Sequence, residues 1–409
     1  MSTVTGGAGV GDGGALEGFR VVEVGSGLCA ATAAMRLGDA GADVIKVEPL
    51  GGDGSRRWAS ADVLADGADA PAFLAANRNK RAVAVDLDRP EGWAVLRRLV
   101  AGADVLIEEL GPGEAERREL TAGRTDLVHC AITAFGDHGP WAQHPASELV
   151  LQAAAEQPLS LGRPGEPPVR IGAEIAAVNT AIFASQAVTA ALLHRLRTGE
   201  GQRVAVSRLG TLLHLRGILW SAQSDPDEWG GFHLDSYTRP VDDGYRTADG
   251  RIYFALRRAS SEDYDNLMIT LGLVDHLADE RFGNFGRDAA PMGRRANDSR
   301  EVWEEGFGRF GTDELVQLLL DAGGDAVPFL DHLELAQHPQ IAALGLLVDV
   351  ARSDGSVQRD VAPAWRLSET PASIRRGAPF VGEHTDAVLT EAGYRPEELA
   401  ALRAGGVIR

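Results

Sequence analysis

RVVEVGSG (20–27), CAATAAMRLGDAG (29–41) and ADVIKVEP (42–49) follow one another near the start of the chain, and they decide the fold. The first segment is a β-branched run that closes on glycines, which predicts a strand. The second is alanine-rich and stops at Gly41, which predicts a helix, and the third predicts another buried strand. A strand, a helix and a strand of these lengths suit a right-handed parallel crossover.

The same alternation continues along the chain. KRAVAVDL (80–87) and DVLIEEL (104–110) predict strands on either side of a helix that begins at Pro90 and ends near Gly102. DLVHCAITAF (126–135) predicts one strand more. Four or more strands alternating with helices indicate a doubly wound α/β domain with a parallel sheet, because too few units are present for an eight-stranded barrel.

The second half of the chain has a different pattern. EIAAVNTAIFASQAVTAALLHRL (174–196) is a long apolar segment that predicts a buried helix, and GQRVAVS (201–207) predicts a return to a strand. From about residue 223 to 332, loops prevail around several short helices and one hairpin-like stretch, TADGRIYFALR (247–257). This region is predicted to form a second, smaller α+β domain.

Charge and cysteine content exclude several classes of protein. Lys and Arg number 40 against 59 Asp and Glu, a formal net charge of −19, so nucleic acid is not expected as a partner. The two cysteines, Cys29 and Cys130, are too few for a disulfide framework or for a metal site by spacing. No secretory signal and no run of about 18 apolar residues is evident. We therefore expect a cytoplasmic protein with no metal and no membrane association.

Two segments are candidates for holding a phosphorylated ligand. GSG (25–27) lies between a strand and a helix, where backbone amides can hold an anion, but short glycine turns are also ordinary connectors. NRNKR (77–81) is the densest basic cluster of an otherwise acidic chain. This cluster is either a solvated strand edge or a clamp for phosphates and a base at the mouth of the sheet.

Two histidines are candidates for acid–base groups. His138 and His384 lie in glycine-containing loops, and an imidazole titrates near pH 6.5, although such histidines are also structural. The chain has no Ser–His–Asp elbow, no HExxH and no P-loop, so serine hydrolase, zincin and nucleotide triphosphatase functions have no support.

Several segments, in order and spacing, resemble the class III CoA-transferase family, which includes formyl-CoA and carnitine CoA-transferases and α-methylacyl-CoA racemase. The resemblance runs almost end to end. The segments are LEGFRVVEV (16–24), GADVIKVEPLGGDGSR (41–56), NRNKRAVAVDLDRPEG (77–92), ADVLIEELGPG (103–113), ITAFGDHGP (132–140), LLHRLRTGEGQRVAVS (192–207), YRTADGRIY (245–253) and PFVGEHTDAVLTEAGY (379–394).

The resemblance implies a domain arrangement and an assembly. A large CoA-binding α/β domain is built from both chain ends, residues 16–220 and 336–409, and a small domain lies between them at residues 221–335. Residues 1–15 are expected to be a disordered leader. Two chains are expected to thread through each other as an interlocked dimer, either as a homodimer or as a heterodimer with a catalytic homologue.

The resemblance also implies a substrate, coenzyme A or an acyl-CoA, together with a carboxylic acid. It assigns Asn77, Lys80 and Arg81 to the nucleotide end of CoA, and the arginine after the GPG turn is Arg117. Two positions depart from the family pattern. Asparagine is usual where this chain has Glu109, and some members place a glutamine near the thioester where this chain has Leu28.

A larger departure concerns the catalytic positions. Family transferases carry an aspartate that attacks the acyl-CoA to form a mixed anhydride, and this chain has Ala177 at that position. Racemase members pair the same aspartate with a histidine, where this chain has Ser147. Racemase activity is therefore the least expected of the family's reactions.

Glu148 and Glu174 are the candidate replacements for the missing carboxylate. Glu148 occupies the acidic position of the family's histidine-containing element, and Glu174 lies about one helical turn before Ala177. The alternative is that Glu148 is a structural hydrogen-bonding carboxylate and that Glu174 is an acid at a helix start.

Three functions remain open on this basis. The first is a CoA-transferase-like enzyme that acts on an acyl-CoA and a carboxylic acid with non-standard catalytic residues. The second is a non-catalytic subunit of a hetero-oligomeric CoA-transferase. The third is an acyl-thioester enzyme with different acid–base chemistry, of the dehydratase or lyase type.

Overall fold

The structure is a computed structural model that describes residues 14–58, 67–160, 167–222, 244–256, 260–277 and 300–409. The expected leader, residues 1–15, lies outside the described residues except for its last two positions. The strands are β1 (Arg20–Val24), β2 (Asp43–Glu48), β3 (Lys80–Ala84), β4 (Val105–Glu108), β5 (Val128–Thr133), β6 (Arg203–Ser207), β7 (Tyr245–Arg246), β8 (Arg251–Ala255), β9 (Asp325–Pro328), β10 (Leu347–Ala351) and β11 (Val357–Val361).

Helices alternate with these strands. They are α1 (Cys29–Asp39), α2 (Pro71–Ala76), α3 (Pro90–Ala101), α4 (Glu114–Arg117), α5 (Glu148–Ala154), α6 (Ile175–Thr198), α7 (Arg208–Leu215), α8 (Gly217–Ala222), α9 (Ser261–Thr270), α10 (Arg300–Phe307), α11 (Thr312–Asp321), α12 (His332–Gln337), α13 (Pro339–Leu344), α14 (Thr385–Glu391) and α15 (Pro396–Ala404).

A six-stranded parallel sheet is the centre of the larger part of the chain. Its strand order is β3-β2-β1-β4-β5-β6, and each neighbouring pair runs parallel. The winding reverses between β1 and β4, because β2 and β3 lie on one side of β1 while the later strands lie on the other. In open α/β sheets ligands bind beyond the carboxyl ends of the strands at such a switch point.

Helices cover both faces of this sheet. Successive side chains of a strand point to opposite faces. Val22 and Val24 of β1 therefore join one hydrophobic core with Leu96 of α3, and Val21 joins a second core with residues of α1 and α6. Leu389 of α14, from the far end of the chain, packs into the first core. The predicted doubly wound α/β fold, with both chain ends contributing, is confirmed.

Helix α6 is unusually long and apolar. Among the described residues it is the helix whose length and hydropathy would allow it to cross a membrane. Its Ala184, Val188 and Leu192 are buried in the core that α6 shares with α1 and the sheet. Its apolar composition therefore has an explanation in the packing of the domain, as expected from the sequence.

The chain divides into two compact units. Among the described residues, the larger unit comprises 14–58, 67–160, 167–215 and 340–409, and the smaller comprises 216–222, 244–256, 260–277 and 300–339. These boundaries fall within five residues of the expected ones at 220 and 336.

The smaller unit contains an antiparallel sheet of β7, β8 and β9. Phe254, Trp303 and Phe307 form the aromatic centre of its core. The hairpin expected at residues 247–257 is the β7–β8 pair. Strand β9, which closes this sheet, was not predicted.

Candidate active site

Two strand ends meet at the switch point of the sheet. Residues 25–28 follow β1 and lead into α1, and Glu109 follows β4 directly. The Oε2 atom of Glu109 accepts a hydrogen bond of 2.9 Å from the backbone N–H of Ala30, in the first turn of α1. A Cβ atom at Gly25 would lie 3.1 Å from the Cβ of Glu109, so a glycine lets the loop pass close to this carboxylate.

Arg208, the first residue of α7, forms an ion pair with the other oxygen of Glu109. Burial lowers the pKa of Arg208, but Glu109 and Cys29 together outweigh burial, and the pKa is raised. The Nε atom of Arg208 is buried and has no hydrogen-bond partner among the described residues. One donor of the guanidinium group is therefore left without an acceptor among the described residues.

The surroundings of Glu109 perturb its protonation. Burial raises the pKa of Glu109 above its ordinary value, although Arg208 and the N–H of Ala30 lower it. Among the described residues, Glu109 is the carboxyl group whose pKa is raised in this way. Burial also raises the pKa of the Cys29 thiol, and the charge of Glu109 raises it further. The site thus combines a carboxylate–guanidinium pair with a protonated thiol.

Hydrogen bonds connect the helix that begins at Arg208 to the beginning of α6. The hydroxyl of Thr211, one turn along α7 from Arg208, lies 2.7 Å from the hydroxyl of Thr180. Thr180 in turn donates to the carbonyl of Ala176, at 2.6 Å. Ala177 belongs to the same hydrophobic core as Cys29 and Ala30. Ala177, the position that the resemblance assigns to the aspartate, therefore shares its core with the start of α1.

Glu148 stabilises the N-terminus of α6. Its Oε1 accepts the backbone N–H of Ala176 at 2.7 Å, and its Oε2 accepts the N–H of Ala177 at 3.1 Å. The side-chain amide of Gln152 also donates to Oε1, at 3.0 Å. Two of the otherwise unpaired N–H groups at a helix start are satisfied in this way, and the negative charge is favoured there. This arrangement supports the structural interpretation of Glu148.

We expect Glu148→Ala to lower the free energy of unfolding by about 1.5–3 kcal/mol, because charge-assisted hydrogen bonds to two amides are lost. Glu174→Ala is the matched control, since Glu174 is exposed and its side chain makes no capping hydrogen bond. Urea denaturation of the two variants measures the difference. Equal midpoints for both variants would show that Glu148 does not cap α6.

The other positions that the resemblance assigns to catalysis also lie at the starts of helices. Ser147 is the N-cap of α5, and its hydroxyl accepts the N–H of Val150 at 3.4 Å. Glu174 is the N-cap residue of α6 and faces solvent. Ala177 lies in the first turn of α6 with 7% of its surface exposed. A catalytic role for Glu148 or Glu174 stays a prediction.

Asn77 and Lys80, assigned to CoA from the resemblance, are fully buried. The Nζ atom of Lys80 donates to Asn77 Oδ1 at 2.8 Å, to the carbonyl of Ala31 at 2.7 Å and to Glu23 at 3.1 Å. Burial lowers the pKa of Lys80 to about 8, although Glu23 opposes this shift. In this conformation neither side chain offers an atom to a ligand at the surface, and their contact with CoA stays a prediction.

The buried network extends from Lys80 to the glycine loop. Glu23 also pairs with Lys46 at 2.9 Å, and Lys46 lies 2.8 Å from Asp53. The other oxygen of Asp53 accepts the backbone N–H of Gly27 at 3.3 Å. Two cations and two carboxylates thus compensate one another beneath the switch point, and they hold the 25–27 loop in place.

Arg81 and Arg117, the other two predicted CoA contacts, have separate acidic partners. Arg81 pairs with Asp43 at 2.6 Å and with Glu391 at 2.7 Å, and its side chain is 13% exposed. Arg117 is exposed and its Nε donates to Glu114 at 2.9 Å. The structure does not bring all four predicted residues into one cluster, and their assignment to CoA stays untested.

Arg78, which lies within the basic cluster, fastens a distant segment to the sheet. Its guanidinium group donates to Asp39 at 2.7 Å, to Asp360 at 2.7 Å and to the carbonyl of Val361 at 2.6 Å. The next residue, Asn79, donates to the carbonyl of Ser373 at 2.8 Å. Arg78 and Asn79 are paired inside the fold, so the cluster is not a solvated edge, and its role as a clamp for phosphates stays a prediction.

The two histidines have structural contacts. His138 is exposed and lies 2.6 Å from Asp137. His384 is the N-cap of α14, its Nδ1 accepts the N–H of Ala82 at 3.3 Å, and burial lowers its pKa. A groove of about 670 Å³ lies between the β10–β11 hairpin and residues 362–375, and none of the predicted site residues lines it.

Comparison with known proteins shows which family the chain resembles. It matches the model of CoA-transferase family III over residues 16–385. It is 32% identical to the succinate–glutarate CoA-transferase of Agrobacterium fabrum, over 92% of this chain and 95% of that protein. It is 28% identical to the beta subunit of succinyl-CoA–L-malate CoA-transferase from Chloroflexus aurantiacus, over 96% of this chain and 98% of that one.

A solved structure of a CAIB/BAIF family protein from Brucella suis has the same fold. Its TM-score is 0.79 at 28% sequence identity, and the alignment covers 93% of this chain and 100% of that chain. The chain therefore belongs to CoA-transferase family III.

Proposed function

We propose that this protein transfers coenzyme A from an acyl-CoA to a carboxylic acid. The observation that carries the proposal is the family match over residues 16–385 together with relatives that are named as CoA-transferases. Membership of the family implies CoA thioester substrates. The Glu109–Arg208 pair supports the proposal because it places ionisable groups at the switch point of the sheet, where ligands of such folds bind.

Short dicarboxylic acids are the class of acid that we propose. The two relatives are named for succinate with glutarate and for succinate with malate. The proposal includes catalytic residues that differ from the family pattern, because the methyl group of Ala177 cannot be acylated. The enzyme proposed here is therefore a CoA-transferase whose reacting group lies at another position.

A direct assay tests this function. The purified protein is incubated with succinyl-CoA and glutarate, and CoA esters are separated by liquid chromatography with mass detection. Formation of glutaryl-CoA with an equivalent amount of succinate is the expected result. Release of free CoA without a new thioester, or no consumption of succinyl-CoA across a panel of short dicarboxylates, would contradict the proposal.

A second candidate function is that of a non-catalytic subunit. The methyl side chain at Ala177 favours it, as does similarity to a protein that is itself named as one subunit of a transferase. In that case the purified chain is inactive, and activity returns when a homologous chain with an aspartate at the corresponding position is co-expressed. Turnover by this chain alone at rates of about 1–10³ s⁻¹ would exclude the subunit function.

We also propose that two chains associate as an interlocked dimer. Val178, Leu193 and Leu196 on α6 are 43%, 48% and 69% exposed in the single chain, which leaves apolar surface for a partner. Light scattering is expected to give twice the mass of one chain at micromolar concentration, and the thermal midpoint should rise with protein concentration. A monomer under these conditions would overturn this proposal.

A further inference from the structure

We propose that Glu109 is the carboxylate that receives the acyl group from CoA, and that Arg208 positions it. This inference rests on the proposed CoA-transferase function and names the reacting residue of the same site. It differs from a role for Glu148 or Glu174, because those residues lie at the start of helices and Glu109 lies at the end of strand β4.

The position of Glu109 fits a reacting group. It is the first residue beyond β4 at the switch point, and its side chain retains 9% exposure. The N-terminus of α1 donates one N–H to its Oε2. A carboxylate held by a helix N-terminus is oriented without being immobilised by a full set of partners.

Three other buried carboxylates of the larger unit are enclosed by the fold. Glu23 is bonded to two lysines, Asp39 to Arg78, and Glu48 to Arg56 by two hydrogen bonds, and all three carboxyl groups are at most 1% exposed. Their oxygens have no path to a substrate in this conformation. Glu109 is partly exposed and has a single cationic partner, Arg208.

Arg208 can do more than hold Glu109 in place. Its buried Nε has no hydrogen-bond partner among the described residues. A donor beside the attacking carboxylate can stabilise the negative charge that develops on the carbonyl oxygen of the thioester. A shift of the Arg208 side chain that brings Nε to the substrate would let the pair supply a nucleophile and a donor for the oxyanion at adjacent positions.

The reaction proceeds through exchange of acyl groups without a net proton or electron. A carboxylate oxygen of Glu109 attacks the carbonyl carbon of the thioester, the C–S bond breaks, and CoA leaves as a thiolate, so that a mixed anhydride of Glu109 and the acyl group is formed. The thiolate then attacks the carbonyl carbon of Glu109, and the first acid leaves as its carboxylate. The carboxylate of the second acid attacks this enzyme thioester, which releases the CoA thiolate and forms a second mixed anhydride. The thiolate then attacks the acyl carbon of the second acid, which gives the new acyl-CoA and regenerates the Glu109 carboxylate.

Glu109→Gln tests the inference, because glutamine keeps the shape and can still accept the N–H of Ala30 but cannot form an anhydride. We expect the transfer rate to fall at least a hundredfold, with an unchanged circular dichroism spectrum. Glu305→Gln, an exposed carboxylate paired with Arg309 in the smaller unit, is the control and should keep the parent rate. A Glu109→Gln rate within threefold of the parent would overturn the inference.

Trapping gives a second measurement that does not depend on how the variant folds. The parent protein is incubated with acyl-CoA and then with hydroxylamine, which converts an activated carboxyl group to a hydroxamate, and peptides are mapped by mass. We expect the hydroxamate at Glu109. A modification only at another residue overturns the inference but leaves the transferase function standing, whereas a parent protein that transfers no CoA fails the proposed function itself.

The pH profile tests the part assigned to Arg208. The nucleophile must be ionised, so the rate falls as the pH drops through the pKa of Glu109. Arg208 lowers this pKa while burial and the charge of Glu23 raise it, and the thiols Cys29 and Cys130 are the other titratable groups that interact with Glu109.

Arg208→Met is therefore expected to move the acidic limb of the rate profile to higher pH, and Arg208→Lys, which keeps the charge, to leave it near the parent position. If Arg208 only maintained the structure, its replacement would lower the rate without moving the acidic limb of the pH–rate profile. Identical limbs for parent and Arg208→Met would overturn the positioning role.

Discussion

Replacing Arg78 with methionine is expected to lower the free energy of unfolding by about 3–5 kcal/mol. The guanidinium group of Arg78 lies between Asp39 and Asp360, whose side chains are 1% and 5% exposed. Methionine fills a similar volume but leaves two buried carboxylates without their cation. Loss of the ion pair with Asp360 also detaches β11 from the residues before β3. The larger unit then loses a connection between its N-terminal and C-terminal parts.

Arg359→Met is the matched control. Arg359 pairs with Asp349 at 2.8 Å, but both side chains are more than half exposed, and such surface pairs contribute little to stability. Urea midpoints of the two variants are compared with that of the parent protein. An Arg78→Met midpoint equal to that of Arg359→Met would show that the buried pairs do not fasten the segment.

Introducing an aspartate at position 177 is expected to restore transfer to the Glu109→Gln variant by about tenfold or more. Ala177 lies in the first turn of α6, where a negative charge is favoured by about 0.3–1 kcal/mol. The new carboxylate would stand at the position that the resemblance assigns to the family's aspartate. Full recovery is not expected, because even about 1 Å of misplacement can cost on the order of a hundredfold in rate.

Ala177→Asn in the same Glu109→Gln background is the control, since asparagine has the same shape and no nucleophilic oxygen. The assay is formation of glutaryl-CoA from succinyl-CoA by each double variant. Recovery in both variants would assign the effect to packing. No recovery with aspartate would show that position 177 is not next to the reacting group in this protein.

The fold was predictable because its signals are local. The β-branched run from Arg20 and the alanine-rich run that stops at Gly41 became β1 and α1 at almost the expected bounds. Local patterns did not reveal β9, which is short and pairs with a strand some seventy positions earlier in the chain. Its place is set by the sheet rather than by its own composition.

The contacts of the basic cluster could not be predicted, because the partners are distant in sequence. Asp360 lies 282 positions from Arg78 and Glu391 lies 310 positions from Arg81. A dense group of cations at a strand end has the same appearance whether it binds a ligand or the protein's own carboxylates. Only the three-dimensional arrangement decides between them.

Arg208 was missed although a signal for it exists. It follows β6 directly, as Glu109 follows β4, and the carboxyl ends of parallel strands meet at one edge of the sheet. Opposite charges directly after two parallel strands predict an ion pair at that edge. Glu109 was recognised from the sequence only as a departure from the family pattern, and its significance depended on knowing the partner.

Transfer of ¹⁸O from the acid to the protein is the most direct test of whether Glu109 forms the mixed anhydride. The parent protein turns over succinyl-CoA with glutarate labelled with ¹⁸O in both carboxylates, and its peptides are then analysed by mass. If Glu109 forms the anhydride, one oxygen of the attacking acid remains on its carboxylate when the acyl group departs, so the peptide that contains Glu109 gains ¹⁸O. Turnover that leaves this peptide unlabelled, or that labels Glu148 or Glu174 instead, would contradict the account.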